Sequence, residues 1–310
     1  MTSVGALATL VACGNTSASS PDAPPLATHA YVIASVAEST KPGESPSYGL
    51  DLDGDGVVDN TVGWLTATEI VEMGQPTDSQ APLTAAIQRG DVILLADLDA
   101  SGLTDSPTAS LQMYTGADPQ PAPCTDPTDP QTCGQHLQGT GTFDTAANSP
   151  TDTSMPGRIV GNHLVAGPGR ALVALSLFDS SVFVVEVFGA RLDLQTGADG
   201  SLGPGILGGA IPRSEIDGTM LPAIEIGVSN DIAADCTGSG PPDCGCTPDS
   251  IGAHWIYFAD GDHDCQVTVS ELGSCDLFQT LLAPDVTIDG QGMLSVGVEV
   301  TAVAATFTRP

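Results

Sequence analysis

Runs of β-branched, aromatic and other apolar residues recur along most of the chain, separated by turns rich in Gly, Pro and Asp. Such runs predict strands. Apolar and polar positions alternate from Leu294 to Ala302, which is typical of a strand with one buried face. The predicted strands cover residues 30–36, 91–98, 110–114, 158–165, 171–178, 182–194, 205–211 and 293–307.

Helical spacing of apolar residues is confined to a few segments. It predicts helices over 79–89, over 212–234 with a kink at Pro222, and over 270–282. Residues 255–258 fit a helix or a strand. The sequence therefore predicts an α+β fold of mainly antiparallel, sandwich-like β-sheet, with a few short helices and disulfide-linked loops.

Residues 116–156 consist mainly of Pro, Gly, Thr and Asp. This composition predicts a long exposed loop or a domain boundary. It divides the chain into a β-rich part over 30–115 and a second β-rich part over 157–310.

The N-terminus carries an uncharged, largely apolar run that ends in Leu10-Val11-Ala12-Cys13. This tetrapeptide resembles the lipobox of bacterial lipoproteins, in which cleavage precedes the Cys and its sulfur carries a diacylglycerol. The resemblance implies a signal peptide over 1–13, lipidation at Cys13 and a flexible tether over 14–29. A basic residue before the apolar run, usual in signal peptides, is missing. We expect a location in the cell envelope, outer-membrane-anchored or extracellular, with membrane contact through the lipid alone.

Cysteine usage also indicates an oxidising compartment, because the other seven Cys lie in loops at short spacing. Cys124 and Cys133 flank a Pro/Asp-rich turn and are predicted partners. Cys236, Cys244 and Cys246 share a second loop, and their pairing stays open. A zinc site made by these three with His254 is the alternative, although the spacing is not a standard zinc pattern.

The strongest chemical signal is the segment from Asp260 to Glu271, which resembles an EF-hand calcium loop. Calcium takes six to eight oxygen ligands, and an EF-hand supplies them from loop positions 1, 3, 5, 7, 9 and 12. Those positions are occupied here by Asp260, Asp262, Asp264, the Gln266 carbonyl, Thr268 and Glu271.

The loop departs from the EF-hand pattern at position 6, where Cys265 replaces glycine. A left-handed conformation at a non-glycine residue costs about 1 kcal/mol. A disulfide that closes a ten-residue loop would offset this by about 2–3 kcal/mol. We therefore predict a Cys265–Cys275 disulfide.

A second acidic loop begins at Asp51 and resembles the calcium loops of thrombospondin type 3 repeats and dockerins. Position 12 is Val62, so water or a distant carboxylate would have to complete the calcium shell. Its candidate ligands are Asp51, Asp53, Asp55, the Val57 carbonyl and Asp59. Residues 97–105 repeat the spacing with fewer carboxylates and are predicted to be a turn.

Further stretches resemble an uncharacterised group of exported Gram-negative lipoproteins. They cover residues 48–60, 187–191, 281–286 and 295–298. The resemblance would span most of the chain, but it implies no catalytic residue.

The charge and the motifs narrow the function further. The formal net charge is −31, with only seven basic residues, which disfavours nucleic-acid binding. The five His are dispersed, and none of the hydrolase, metalloprotease, P-loop or dinucleotide motifs occurs. The leading hypothesis is a non-catalytic calcium-binding lipoprotein whose acidic loops are stabilised by the ion. The alternatives are a secreted hydrolase with structural calcium and a carbohydrate-binding or adhesion module, with the protein or glycan partner open.

Overall fold

The computed structural model describes residues 25–72, 80–177, 181–197, 199–238, 240–241 and 244–310. The predicted signal peptide, Cys13 and the tether as far as residue 24 lie outside the described residues. Within the described ranges, no helix combines the length and the apolar composition needed to cross a membrane.

The strands of the described residues belong to one large sheet, and nearly all of its pairings are antiparallel. They are β1 (Ala27–Ala37), β2 (Leu94–Ala100), β3 (Ser106–Gln120), β4 (Gly141–Thr145), β5 (Ser154–Val160), β6 (His163–Leu177), β7 (Ser181–Thr196), β8 (Leu202–Ile211), β9 (Val286–Ile288) and β10 (Gln291–Phe307). The antiparallel pairings run from β1 through β2, β3, β5, β6, β7 and β8 to β10, and β10 pairs with β1 again. The sheet therefore closes on itself, and strands from both predicted parts of the chain share it.

Short helices pack around this sheet. They are α1 (Thr61–Glu72), α2 (Gln80–Arg89), α3 (Arg213–Glu215), α4 (Leu221–Asp235), α5 (Ile251–Ala259), α6 (Val269–Ser274) and α7 (Asp276–Leu281). A π-helical turn over Ile216–Met220 joins α3 to α4, so the predicted 212–234 helix is present with its irregularity just before Pro222. The predicted 270–282 helix is divided at Cys275, whose backbone is extended.

Alternation along the strands explains how two cores form on the two faces of the sheet. Leu94 and Ala96 belong to the main core, whereas Ile93 and Leu95 belong to a smaller cluster on the opposite face. Phe143 of β4 covers this smaller cluster. Strand β4 pairs with the far ends of β3 and β10, so the predicted 116–156 loop contributes a strand to the sheet.

The predicted fold is confirmed as a mixed structure with a large, mostly antiparallel sheet, short helices and disulfide-linked loops. Cys124 and Cys133 form a disulfide, in agreement with their spacing. The second pair in the Gly/Pro loop is Cys236–Cys246. Because Cys236 and Cys246 form this disulfide, they are not available as ligands of the alternative zinc site.

Candidate metal centres

The loop that begins at Asp260 connects two helices, as its EF-hand-like spacing predicts. Helix α5 begins after Ser250, whose side chain accepts a hydrogen bond from the Ala253 N–H, and it ends at Ala259. Helix α6 begins with a capping box, in which Thr268 and Glu271 each accept a backbone N–H from the other. The local sequence thus fixes both ends of the loop.

Three of the predicted ligands converge in this loop. Asp260, Asp262 and Asp264 each place one carboxylate oxygen within 4.8 Å of the other two. Two oxygens bound to one calcium ion at 2.3–2.6 Å lie at most roughly 5 Å apart. The spacing of these oxygens therefore fits a shared calcium ion.

Asp260 organises the loop around itself. Its side chain is only 3% exposed, and its two oxygens accept the N–H of Asp264 at 3.1 Å and of Cys265 at 2.9 Å. Asp264 in turn accepts the N–H of Gln266 at 2.9 Å. These bonds fold the backbone so that acidic side chains two and four positions apart in the sequence face one another.

Glu271, the predicted bidentate ligand, lies at the loop but is bonded to its backbone. Its Oε1 accepts the N–H of Gly261 at 2.9 Å and of Asp262 at 3.3 Å, and its Oε2 accepts the N–H and the hydroxyl of Thr268, both at 2.9 Å. Burial acts to raise the pKa of Glu271, but these hydrogen bonds outweigh it and lower the pKa below its usual range. Glu271 is thus ionised and lies beside the three converging carboxylates of Asp260, Asp262 and Asp264. Its own oxygens are not among those that converge.

The predicted Cys265–Cys275 disulfide is wrong. Cys265 has the left-handed φ of 71° expected at position 6, but its disulfide partner is Cys244. The Cα atoms of Cys244 and Cys265 are 5.5 Å apart, which suits a disulfide. Cys275 follows α6 and is free, with its Sγ 3.4 Å from the carbonyl oxygen of Phe258. Cys275 therefore faces α5 and not Cys265. Position 6 of the loop is linked instead to Cys244, which lies in the loop before α5.

We expect the Cys244→Ala/Cys265→Gly double variant to be less stable than the natural chain by about 2 kcal/mol. Losing the disulfide costs about 3 kcal/mol by loop entropy, and glycine at the left-handed position returns about 1 kcal/mol. Urea unfolding in EDTA measures the difference.

Cys124→Ala/Cys133→Ala, which removes a disulfide distant in sequence from both loops, is the matched control. Calcium affinity at the Asp260 loop should fall in the first variant and stay unchanged in the control. Equal calcium affinities in both variants would show that Cys244–Cys265 does not organise the loop.

The second loop brings together Asp51, Asp53 and Asp59, again with one oxygen each within 4.8 Å of the others. Asp51 accepts the N–H of Gly54 at 2.7 Å and of Gly56 at 3.0 Å. Both glycines have positive φ, near 86°, which explains the two glycines at this tight turn. The two glycines are therefore required by the backbone of this turn, whereas the aspartates are the candidate calcium ligands.

The other two predicted ligands of this loop lie differently. Asp55 is outside the group of three carboxylates and accepts the N–H of Val57 at 2.7 Å. Val57 presents its side chain to solvent. The structure therefore brings together three of the four predicted aspartates.

Asp59 is also bonded to the backbone of the loop. Its Oδ2 accepts the N–H of Leu52 at 2.7 Å. Burial is the largest cause that raises its pKa, and the negative charges of Asp53, Asp285 and Asp55 raise it further, against the bond from Leu52. Asp285 is distant from this loop in the sequence and is not among its predicted ligands.

The loop is fixed to the sheet by buried Asn60. The Asn60 amide donates to the carbonyls of Ser45 and Gly297, both at 3.1 Å, and its Oδ1 accepts the N–H of Gly297 and of Gly63. Asn60 thereby connects the end of the loop to β10 and to the start of α1. The position of the carboxylates is set by a folded framework and not by the loop alone.

The third acidic stretch, 97–105, has a different role from the first two. Asp97 and Asp99 both form ion pairs with Arg309, and Asp99 also accepts the hydroxyl of Thr28. The carboxylates of β2 thus hold the C-terminal end of the chain against β1 and β2. Residues 97–100 belong to β2, so the turn predicted over 97–105 is confined to residues 101–105.

Comparison of the chain with protein-family models, with curated proteins and with solved structures finds no match.

Proposed function

We propose that this protein is a calcium-binding, non-catalytic protein of the cell envelope, in which calcium stabilises two acidic loops. The observation that carries the proposal is the convergence of three carboxylates in each of the two loops whose sequence spacing predicts calcium. Exposed acidic residues in so acidic a chain would ordinarily spread apart, because like charges repel. Here the backbone holds them together.

Calcium would act by removing this repulsion. The raised pKa of Asp59 reflects, after burial, the unfavourable interaction of its charge with neighbouring carboxylates. A divalent ion among Asp51, Asp53 and Asp59 would reverse that interaction and favour the ionised form. Calcium binding would then stabilise the folded chain, since the unfolded chain does not hold the three carboxylates together.

In the Asp260 loop, full calcium coordination would require Glu271 to exchange backbone partners for the ion. Its carboxylate is ionised and adjacent to the loop, so the exchange needs a rotation of the side chain. The Gln266 carbonyl and Thr268 lie between Asp264 and Glu271 in the chain and would complete the shell. The Asp51 loop lacks a carboxylate at its twelfth position and would keep more water.

The disulfides support a location outside the cytoplasm. Three disulfides occur among the described residues, and such bonds persist in oxidising compartments. A lipid anchor at Cys13 and membership of an exported Gram-negative lipoprotein group would place the protein at the outer membrane. Cys13 would be tested by mass spectrometry of the protein from membranes, where a diacylglyceryl group on the N-terminal residue is expected.

Isothermal calorimetry tests the calcium proposal directly. We expect two calcium-binding events in the disulfide-intact protein. Asp53→Asn should remove one of them and Asp262→Asn the other, with the remaining event unchanged. Asp144→Asn, at an exposed position of β4, is the control and should keep both. Titration without heat or saturation in the natural chain would overturn the proposal.

Asp59→Asn provides a pH-dependent prediction. A raised folded-state pKa means that protonated Asp59 stabilises the fold at low pH, and that this stability is lost as pH rises through the folded pKa. In EDTA, the contribution of Asp59 to the stability of the natural chain should therefore fall as pH rises above the ordinary Asp range. The variant should lose less and be more stable at pH 7, because it has no charge to bury.

In calcium, the natural chain should be more stable than Asp59→Asn at pH 7, since the variant lacks one ligand. Urea unfolding between pH 3 and pH 7 measures both effects. Identical pH profiles for the two proteins in EDTA would contradict the charge repulsion assigned to Asp59.

The hydrolase alternative would be favoured by a buried acid–base pair. His163 Nε2 lies 2.5 Å from Asp193 Oδ1, but their side chains are 39% and 47% exposed. Water competes for both groups at that exposure. We therefore assign this pair a role in joining β6 to β7 and not a catalytic one.

A further inference from the structure

A surface pocket of 310 Å³ adjoins the Asp51 loop. It lies between the end of that loop and the first turns of α1, and its lining includes Val57, Val58, Asp59, Trp64 and Asp285. Pockets of about 300 Å³ and above are the size that small ligands occupy. The pocket is separate in sequence from the Asp260 loop and is not explained by calcium binding alone.

The pocket gathers large apolar side chains that face solvent. Val57 is 60% exposed, Val58 is 43% exposed and Trp64 is 45% exposed. Exposed apolar side chains that cluster at a concave site commonly mark a binding surface. Trp64 lies in the first turn of α1, where its backbone N–H donates to the carbonyl of Asn60, the residue that fixes the loop to the sheet.

Asp59 connects this pocket to the candidate calcium site. It belongs both to the carboxylate group with Asp51 and Asp53 and to the lining of the pocket. The position that would supply a bidentate carboxylate in an EF-hand is Val62, which is 1% exposed and part of the main core. A calcium ion held by this loop would thus keep coordination positions for oxygens that the loop does not provide.

The charges of the pocket limit which ligand could provide those oxygens. Asp59 and Asp285 both line the pocket, and the chain as a whole carries a net charge of −31. Anionic ligands are therefore disfavoured, whereas neutral hydroxyl oxygens suit calcium. Vicinal hydroxyls can replace two calcium-bound waters, and the indole of Trp64 offers an apolar face for the C–H side of a sugar ring.

We propose that the pocket beside Trp64 is a calcium-dependent binding site for a neutral sugar, whose vicinal hydroxyls complete the shell of the ion at Asp51, Asp53 and Asp59. This inference rests on the proposed function, because it requires calcium at that loop. It assigns the loop a ligand-binding role in addition to a stabilising one.

Saturation-transfer NMR with neutral methyl pyranosides tests the site. The panel contains methyl α-mannopyranoside and methyl β-galactopyranoside, so that different arrangements of vicinal hydroxyls are offered. We expect transfer to at least one sugar in calcium and none in EDTA. Trp64→Ala should weaken sugar binding by about tenfold or more, as for an aromatic residue central to a binding site.

The controls separate the pocket from the rest of the protein. Asp53→Asn should abolish sugar binding, whereas Asp262→Asn, in the other loop, and Val160→Ala, at an exposed apolar position of β5, should leave it unchanged. Calorimetry should show that Trp64→Ala still binds two calcium ions, which establishes that the variant is folded.

Several outcomes would overturn the inference. If calorimetry shows calcium at the Asp51 loop but no sugar of the panel gives transfer in calcium, the sugar site is refuted and the calcium function stands. If Asp53→Asn removes no calcium-binding event, the inference and the proposed role of this loop fail together. Sugar binding that is equally strong in calcium and in EDTA would show that the ion takes no part in recognition. Binding of choline in EDTA, with no sugar bound in calcium, would show that the pocket recognises a cation instead.

Discussion

Saturating calcium is expected to raise the free energy of unfolding by about 2.7 kcal/mol for each occupied loop, at an ion concentration 100 times the dissociation constant. The physical reason is that the folded chain gathers three carboxylates in each loop, whereas the unfolded chain separates them. Thermal unfolding in calcium and in EDTA measures the effect as a higher midpoint in calcium.

Magnesium at the same ionic strength is the control for this measurement. General screening of the net charge of −31 would raise the midpoint equally for both ions. Calcium should raise it further, because its flexible shell suits carboxylate and carbonyl ligands, while magnesium retains its waters. Midpoints that are equal in calcium, magnesium and EDTA would refute stabilisation by the ion.

Asp260→Ala is expected to have the largest effect of any single substitution in the Asp260 loop. The side chain is buried, and its removal leaves the N–H groups of Asp264 and Cys265 without their acceptors. A loss of about 2–4 kcal/mol in the free energy of unfolding should result even in EDTA. Calcium binding at this loop should disappear as well, and urea unfolding with calorimetry measures both.

Asp260→Asn separates the two contributions. The amide oxygen can still accept a backbone N–H, so most of the stability in EDTA should be retained. The charge is lost, so calcium affinity at the loop should still fall strongly. Asp144→Ala is the control for removal of an exposed carboxylate and should change stability by less than about 0.5 kcal/mol. Full calcium binding by Asp260→Asn would show that the ion does not use this residue.

The strands could be predicted because residues buried in the sheet form apolar runs or alternating patterns in the local sequence. The apolar residues at alternate positions from Leu294 to Ala302 all lie in the main core, although Ser295 and Gly297 between them are buried as well. The segment 91–98 is apolar at successive positions instead, because Leu94 faces the main core and Leu95 faces the cluster covered by β4. The closure of the sheet through β1 and β10 could not be predicted, since it depends on pairing between residues some 270 positions apart.

Helix α1 was not predicted, and its sequence explains why. Val62, Gly63 and Thr66 lie in its first turns, and β-branched residues and glycine have low helix propensity. Val62, Leu65 and Ala67 are buried in the folded protein. Tertiary packing therefore decides this helix, and the local pattern does not.

The candidate metal ligands could be predicted where they all lie within one short loop. Asp260, Asp262 and Asp264 converge because hydrogen bonds within five residues fold the loop around Asp260. The pairing of Cys265 with Cys244 was not predictable, because it depends on where the preceding loop lies in space. For the same reason, spacing alone gave no indication that Asp285 approaches Asp59 from over 200 residues away.

A crystal structure of the disulfide-intact protein grown in calcium would show whether the two acidic loops bind the ion. We expect an ion bonded at about 2.3–2.6 Å to oxygens of Asp260, Asp262 and Asp264, with Glu271 turned toward it. A second ion is predicted among Asp51, Asp53 and Asp59. Well-ordered loops in saturating calcium without an ion between these carboxylates, and with Glu271 still bonded to the N–H groups of Gly261 and Thr268, would contradict it.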